Sequence, residues 1–257
     1  MVARTSSGLD AVSICSPQRP LTLVCQGGGT EDVGAQCAAL GLRLASIPEG
    51  VDGDLLLMGN ADEANVRAGL ASPYGGFIEL GVEGLLGVGL RCFETARAGG
   101  LALSLKTSSV YALSTLELVS QAIRTNPLLA AGEAADFVDI CLGEAISNAV
   151  MHGNLDVPAH LRINSKGFQL FRQVMQERLA DPVLACRRIE INVVPRGNGY
   201  ISVLVSDQGR GFDLAEQLSR TVDCDAKRGR GLGLINRICS SLLTEDGGRT
   251  LVMTFAK

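Results

Sequence analysis

Tryptophan is absent from the 257 residues, and three Tyr and seven Phe complete the aromatic complement. Any core must therefore be aliphatic, and hydrophobic residues, at 46%, are plentiful enough to build one or two domains. A basic excess is also missing: 23 Lys and Arg face 27 Asp and Glu, for a net charge of -4. That balance lacks the electrostatic footprint of a nucleic-acid binder, so no direct nucleic-acid partner is expected. Histidine is confined to His152 and His160, and the eight cysteines contain no C-x-x-C pair, which leaves no ligand set for structural zinc. Scattered thiols inside apolar runs, such as Cys25, Cys141 and Cys239, fit a reducing compartment better than a disulfide framework. The N-terminus lacks a charged segment followed by an apolar one, and no apolar run reaches the roughly 18 residues of a membrane span. The glycine-rich stretch from Gly75 to Gly100 comes nearest, but Glu79, Glu83, Arg91 and Glu94 interrupt it. A cytoplasmic location without a membrane partner is the expectation.

What is present is concentrated in the second half. The run Glu144-Ala-Ile-Ser-Asn148-Ala-Val-Met-His152-Gly-Asn places a carboxylate, a carboxamide and an imidazole at i, i+4 and i+8. On a regular α-helix that spacing stacks all three on one stripe. The surrounding residues, including Val138, Ile140, Leu142, Ile146 and Val150, are apolar enough to pack against a sheet. A polar stripe on so apolar a helix is expected to line a pocket. An Asn oxygen with a Glu one turn earlier suits Mg²⁺ beside a base, since Mg²⁺ takes oxygen ligands and keeps waters and substrate phosphates.

Two further segments point to the same place. Tyr200-Ile-Ser-Val-Leu-Val-Ser206 alternates like a half-buried strand and runs into Asp207-Gln-Gly209-Arg-Gly211-Phe212. A carboxylate at that strand end suits the exocyclic amine of a base such as adenine, and the glycines permit close approach to a flat ring. Lys227-Arg228-Gly229-Arg230-Gly231-Leu232-Gly233 then opens an apolar helix with Leu234, Ile235, Ile238 and Leu242. Free N–H groups and the dipole at such a helix start form an anion cradle. Gly247-Gly248-Arg-Thr250 turns into a last strand through Phe255.

In this order, the forms E-A-x-x-N-A-x-x-H-G, D-x-G-x-G-F and G-x-G-L-G-L resemble the boxes of the GHKL ATPase superfamily, whose nucleotide-binding architecture is the Bergerat fold. Within it they look like the bacterial anti-sigma factor and serine-kinase branch. The resemblance covers roughly residues 100–257 and rests on the boxes jointly, because a lone glycine motif is common by chance. It implies ATP and Mg²⁺ as cofactors, Asn148 as the metal ligand and Glu144 as general base toward an attacking hydroxyl. Asp207 would read the base, with Gly209 and Gly211 shaping its pocket. Gly229, Arg230, Gly231, Leu232 and Gly233 would cover the phosphates, and Thr250 would lie near the base. His152 is read as structural, closing the helix before Gly153.

The fold class expected is α/β. Residues 99–257 would form a Bergerat two-layer sandwich, a mixed sheet covered by helices on one face. Residues 20–98 would form a small α/β domain, and 1–19 a loose tail. The smaller unit shows strands at 21–25, 42–47, 54–58 and 77–80 and helices at 31–40, 61–71 and 83–97. This order is similar to a shortened response-regulator receiver. It is a degenerate one, because Cys25-Gln26-Gly27 and Met58-Gly59 stand where a receiver carries its acidic pair and phosphoacceptor Asp. The Gly27-Gly-Gly29 loop lacks the Lys-Ser/Thr of a P-loop and reads as a turn. In the larger unit, residues 155–188 depart from the simplest family pattern by inserting a helix near 168–179, expected to pack onto the domain.

The resemblance implies an ATP-dependent serine/threonine kinase of the anti-sigma type. It would phosphorylate an antagonist protein, bind a sigma factor or other signalling partner, and control transcription by partner switching; relatives of this kind often form homodimers. A non-catalytic nucleotide- and partner-binding module, or a histidine-kinase-like domain acting in trans, are the alternatives. Self-phosphorylation on an upstream histidine is not expected, since His152 is the first histidine. The sequence ends at Lys257, soon after its last expected strand, where topoisomerase- or chaperone-type ATPases continue into a transducer domain.

Overall fold

The structure, a computed structural model, describes residues 20–26, 31–46, 54–158, 165–220 and 230–257. The expected tail at 1–19 and the Gly27–Thr30 loop lie outside the described residues. Nine strands form one sheet: β1 (Leu21–Cys25), β2 (Arg43–Ala45), β3 (Asp54–Gly59), β4 (Tyr74–Glu79), β5 (Leu101–Lys106), β6 (Arg188–Arg196), β7 (Tyr200–Ser206), β8 (Ser241–Glu245) and β9 (Thr250–Ala256). Their spatial order is β2-β1-β3-β4-β5-β6-β7-β9-β8. The pairs from β2 to β5 are parallel, and those from β5 to β8 antiparallel. The first five strands follow the order of a doubly wound α/β fold. Its fifth position is filled by β5, which is also the first strand of the antiparallel half. One strand thus belongs to both units.

The helices are α1 (Glu31–Ala39), α2 (Glu63–Gly69), α3 (Leu90–Arg97), α4 (Thr107–Ala112), α5 (Thr115–Thr125), α6 (Ala135–Asn148), α7 (Ser165–Ala180), α8 (Pro182–Ala185), α9 (Leu214–Arg220) and α10 (Arg230–Ile238). Strand alternation puts Leu101, Leu103, Leu105, Ile189, Ile191, Val193, Ile201, Val203, Val205, Leu251, Met253 and Phe255 on one face. They form one core with α5 (Leu118, Val119, Ile123) and α6 (Val138, Leu142, Ala145). Each such buried aliphatic side chain contributes on the order of 2 kcal/mol. The opposite face of β1, β3 and β4 packs Leu23, Leu56 and Ile78 against Val33 of α1 and Phe93 of α3. The N-terminal strands are therefore covered on both faces. This is a mixed α/β fold with a large helix-covered sheet, as expected.

Several expected elements change. The helix expected over 83–97 begins only at Leu90; residues 81–89 form a loop in which Gly84 and Gly87 have positive φ. Residues 107–125 form two helices, α4 and α5, separated by Leu113 and Ser114. Leu242 belongs to β8, because α10 ends at Ile238. A short edge strand of alternating burial is hard to tell from a last helical turn when its apolar residues also fit helical spacing. The inserted α7 packs onto the core through Phe171 and Met175, while Phe168 and Leu170 stay exposed. Asn198 and Gly199, both at positive φ, make the β6–β7 hairpin turn.

Candidate functional site

Three segments, the first with the start of α10 beside it, meet at one end of the antiparallel half. The first is α6 with its continuation. Asn148 is the last α-helical residue; residues 149–154 form a wider π-helical turn, with Leu155 N–H donating to the Val150 carbonyl over 3.0 Å. Such turns in α-helices are frequent at functional sites. Glu144 and Asn148 remain one turn apart on α6, but the wider turn rotates His152 off their stripe. His152 Nδ1 lies 2.7 Å from the Val157 carbonyl oxygen. A carbonyl only accepts, so Nδ1 carries the proton, and the ring ties the π-turn to the chain that follows. Val157 N–H also donates to Met151 O at 2.7 Å.

Glu144 and Asn148 are half-buried. The start of α10 rests against Glu144: a Cβ added to Gly231 would lie 2.2 Å from Glu144 Oε2. The Asn148 carboxamide makes no hydrogen bond with the described residues. Gly231 and Gly233 lie within α10, and Leu232 packs against the core. Gly229 lies outside the described residues, as does the side chain of Arg230.

The second segment is the loop after β7. A Cβ at Gly153 would sit 2.4 Å from Asp207 Cγ, and one at Gly209 would sit 2.5 Å from the Gly153 carbonyl oxygen. Glycine at both positions is what lets the π-turn and this loop touch. Asp207 Oδ1 accepts from Gly209 N–H at 2.7 Å, and Oδ2 accepts no hydrogen bond from the described residues. Burial pushes the Asp207 carboxyl up to about 6, while the Gly209 N–H and the charges of Arg249 and Arg187 pull the other way.

The third segment, residues 246–250, closes the base of the site. Asp246, Gly247 and Gly248 all have positive φ. A Cβ at Gly211 would lie 2.1 Å from the Gly247 carbonyl oxygen, and one at Gly248 would lie 1.9 Å from that of Phe212. The two loops interlock through backbone alone. Thr250 is buried; its hydroxyl donates to Asp246 Oδ2 at 2.7 Å and lies 2.9 Å from Ser206 Oγ. With its only proton committed to the carboxylate, Thr250 receives one from Ser206, so it props the turn.

Two residues at the centre are not among those expected from the sequence. Asn154, fully buried, donates to Thr107 Oγ1 (2.8 Å) and the Arg188 carbonyl (2.9 Å), and its Oδ1 accepts from Gln208 N–H at 2.7 Å. Gln208 Oε1 accepts from Arg188 N–H at 2.8 Å. Asn154 therefore pins the loop carrying Asp207 to α4, β6 and the π-turn. Its place directly after His152-Gly153 was the available signal. Arg210, by contrast, is solvent-exposed and pairs with Asp156 at 3.2 Å. Two clefts, of about 350 Å³ and 860 Å³, lie on another flank of α6, bordered by Leu116 and Ile146, away from these loops.

A helix edge offering an acid and a free amide, a half-buried carboxylate at a strand end and glycine loops packed backbone to backbone define a nucleotide-site architecture of the Bergerat type. The family model for the histidine kinase-like ATPase domain matches residues 108–255, more than half of the chain. The chain belongs to that family, and ATP is the ligand the family implies. A search of curated proteins finds no significant match. No helix among the described residues is long and apolar enough to cross a membrane.

The residues present fit the nucleotide. Asp207 keeps one oxygen unengaged for an amine, and the start of α10 supplies N–H groups beside Glu144. Among the described residues no three His, Cys, Asp or Glu side chains converge. A Mg²⁺ held here would therefore depend on the Asn148 amide oxygen, water and the phosphates themselves.

Proposed function

We propose that the chain binds ATP with Mg²⁺ and transfers the γ-phosphoryl group to a serine or threonine hydroxyl of a partner protein, as anti-sigma kinases do. Residues 99–257, including the 155–188 insertion, would form the nucleotide-binding unit, and 20–98 the regulatory one. In the transfer, the hydroxyl oxygen forms a bond to Pγ, the bond from Pγ to the β,γ-bridging oxygen breaks, and ADP leaves. Glu144 takes the hydroxyl proton. Asn148 would hold Mg²⁺, whose positive charge would offset the negative charge of the phosphates. Asp207 accepts from the exocyclic amine of adenine, Gly209 and Gly211 let the base approach, and Gly231 and Gly233 at the start of α10 face the phosphates. Phosphoryl transfer asks mainly for positioning and charge neutralisation, which this set supplies.

The observation that carries the reading is the Asn148 amide, without a hydrogen-bond partner among the described residues, one turn after Glu144, where α10 begins. The acid favours a catalyst over a binding module, because binding alone does not need a base there. Isothermal calorimetry with ADP and Mg²⁺, followed by radiolabelled ATP and serine-bearing antagonist proteins, tests it. Glu144→Ala should keep nucleotide binding and lose transfer, whereas Asn148→Ala should lose the Mg²⁺-dependent part of the affinity. Binding without transfer by the wild type to any such protein would leave a nucleotide-binding module; no heat with ADP would overturn the site itself.

A further inference from the structure

Among the described residues, the segment Gly81–Arg91 of the N-terminal unit touches the nucleotide loops. That segment is held at its near end by α1: Gln36 Nε2 donates to the Glu83 carbonyl at 3.0 Å, and Leu85 N–H donates to Gln36 Oε1 at 2.7 Å. Its middle is held by β6 and touches the loop after β7. Gly89 N–H donates to Glu190 Oε1 at 2.7 Å, a Cβ at Gly89 would lie 2.5 Å from Glu190 Oε2, and Gln208 Nε2 reaches the Gly87 carbonyl at 3.4 Å. Buried Arg188 donates to the carbonyls of Leu86 (3.4 Å) and Glu79 (3.0 Å) while its own N–H holds Gln208. The far end reaches the other nucleotide loop. Arg91 Nη2 lies 2.7 Å from Glu245 and 3.6 Å from Asp246, the residue that receives the Thr250 hydroxyl.

Both contacts land one residue from a base-site element. Gln208 adjoins Asp207, and Asp246 opens the left-handed turn that interlocks with Gly211. A left-handed aspartate is unfavourable by itself and persists only where its surroundings hold it. We propose that Gly81–Arg91 is a strap by which the N-terminal unit sets the geometry of base recognition, with Gln208 and Arg91 as positioning residues. The inference rests on Asp207 as the base reader. Displacement at α1 would then be felt at adenine through the Gln36 contacts, making this segment the route by which the N-terminal unit alters nucleotide affinity.

Calorimetry on the full chain compares ADP with inosine diphosphate, which carries a carbonyl oxygen where adenine carries its amine. The wild type should prefer ADP, and Asp207→Asn should erase the preference; a wild type without preference would refute the base-reader assignment rather than the strap. With that preference in place, Arg91→Ala and Gln208→Ala should each weaken ADP binding by about three- to tenfold and shrink the ADP-to-inosine ratio, while inosine diphosphate changes little. Arg91→Lys should restore most of the ratio, which a general loss of folding would not. Unchanged affinity and ratio in both alanine variants would overturn the proposal. If neither variant folds, hydrogen exchange on the wild type decides: ADP must slow amides in 84–91 together with those in 207–212, and slowing confined to 207–212 overturns it.

Discussion

Asp207 carries two opposed demands. In the proposed base contact it accepts from an amine best as a carboxylate, while burial pushes that carboxyl up to about 6. Nucleotide affinity should therefore fall as pH drops from 7 through 6 toward 5, and calorimetry across that range should find the Asp207→Asn variant weak and flat. The stability consequence has the opposite sign. With a folded value near 6 above an unfolded one near 3.9, this group favours the fold fully below pH 4, and that contribution is lost as pH rises through 6. At pH 7.5 the charge then costs about 2–3 kcal/mol. Asp207→Asn, whose Oδ1 still accepts from Gly209, should raise the nucleotide-free melting temperature at pH 7.5 and give no gain at pH 4. Gly153 makes a steric counterpart. Its missing Cβ is the space the Asp207 carboxyl occupies, so Gly153→Ala should abolish ADP binding even where the chain still melts cooperatively.

At the scale of elements, the π-turn after α6 decides where the polar residues of the motif end up. A continuous α-helix would have kept His152 over Asn148; the wider turn instead brings Asn154 inward to hold the Gln208 amide. Asn154→Ala would leave that backbone N–H, the Arg188 carbonyl and Thr107 without the buried carboxamide and is expected to cost about 2–3 kcal/mol. Denaturant titration should read the loss, and ADP affinity should fall with it because the Asp207 loop loses its anchor. The helix pattern of 144–151 was legible in the sequence, since apolar residues at helical spacing leave few alternatives. The turn type was not, because the hydrogen bonds that choose it come from Val157, outside the periodic run. The same holds for 81–89, where Leu85, Leu86 and Val88 read as helix. Glycines with positive φ and the contacts of Gln36 and Glu190 make it a loop.

For the whole molecule, the central fact is that one sheet runs through both units. Across the boundary expected near residue 99, Gly76 to Ile78 pair in parallel with Ala102 to Ser104. Arg188 and Glu190 of β6 also place their side chains against Glu79, Ser104 and Gly89. Scanning calorimetry of the full chain should give a single cooperative transition. A fragment of residues 99–257, although it holds every nucleotide box, would expose the β5 edge and leave those buried charges without their partners. It should melt lower than the full chain or aggregate, which light scattering would detect.

The alternating strands, the apolar helix bearing Glu144 and Asn148, the glycine punctuation and the order of the nucleotide boxes are local patterns. Each depends on residues within a few positions of one another, so the sequence alone settled them, and with them the family. The interlock of Gly211 with Gly247, the strand shared by two units, the π-turn and the strap from α1 to Gln208 depend on residues brought together from as far as 121 positions apart. Those contacts exist only once the sheet has paired, because their partners are chosen by packing and hydrogen-bond satisfaction in three dimensions.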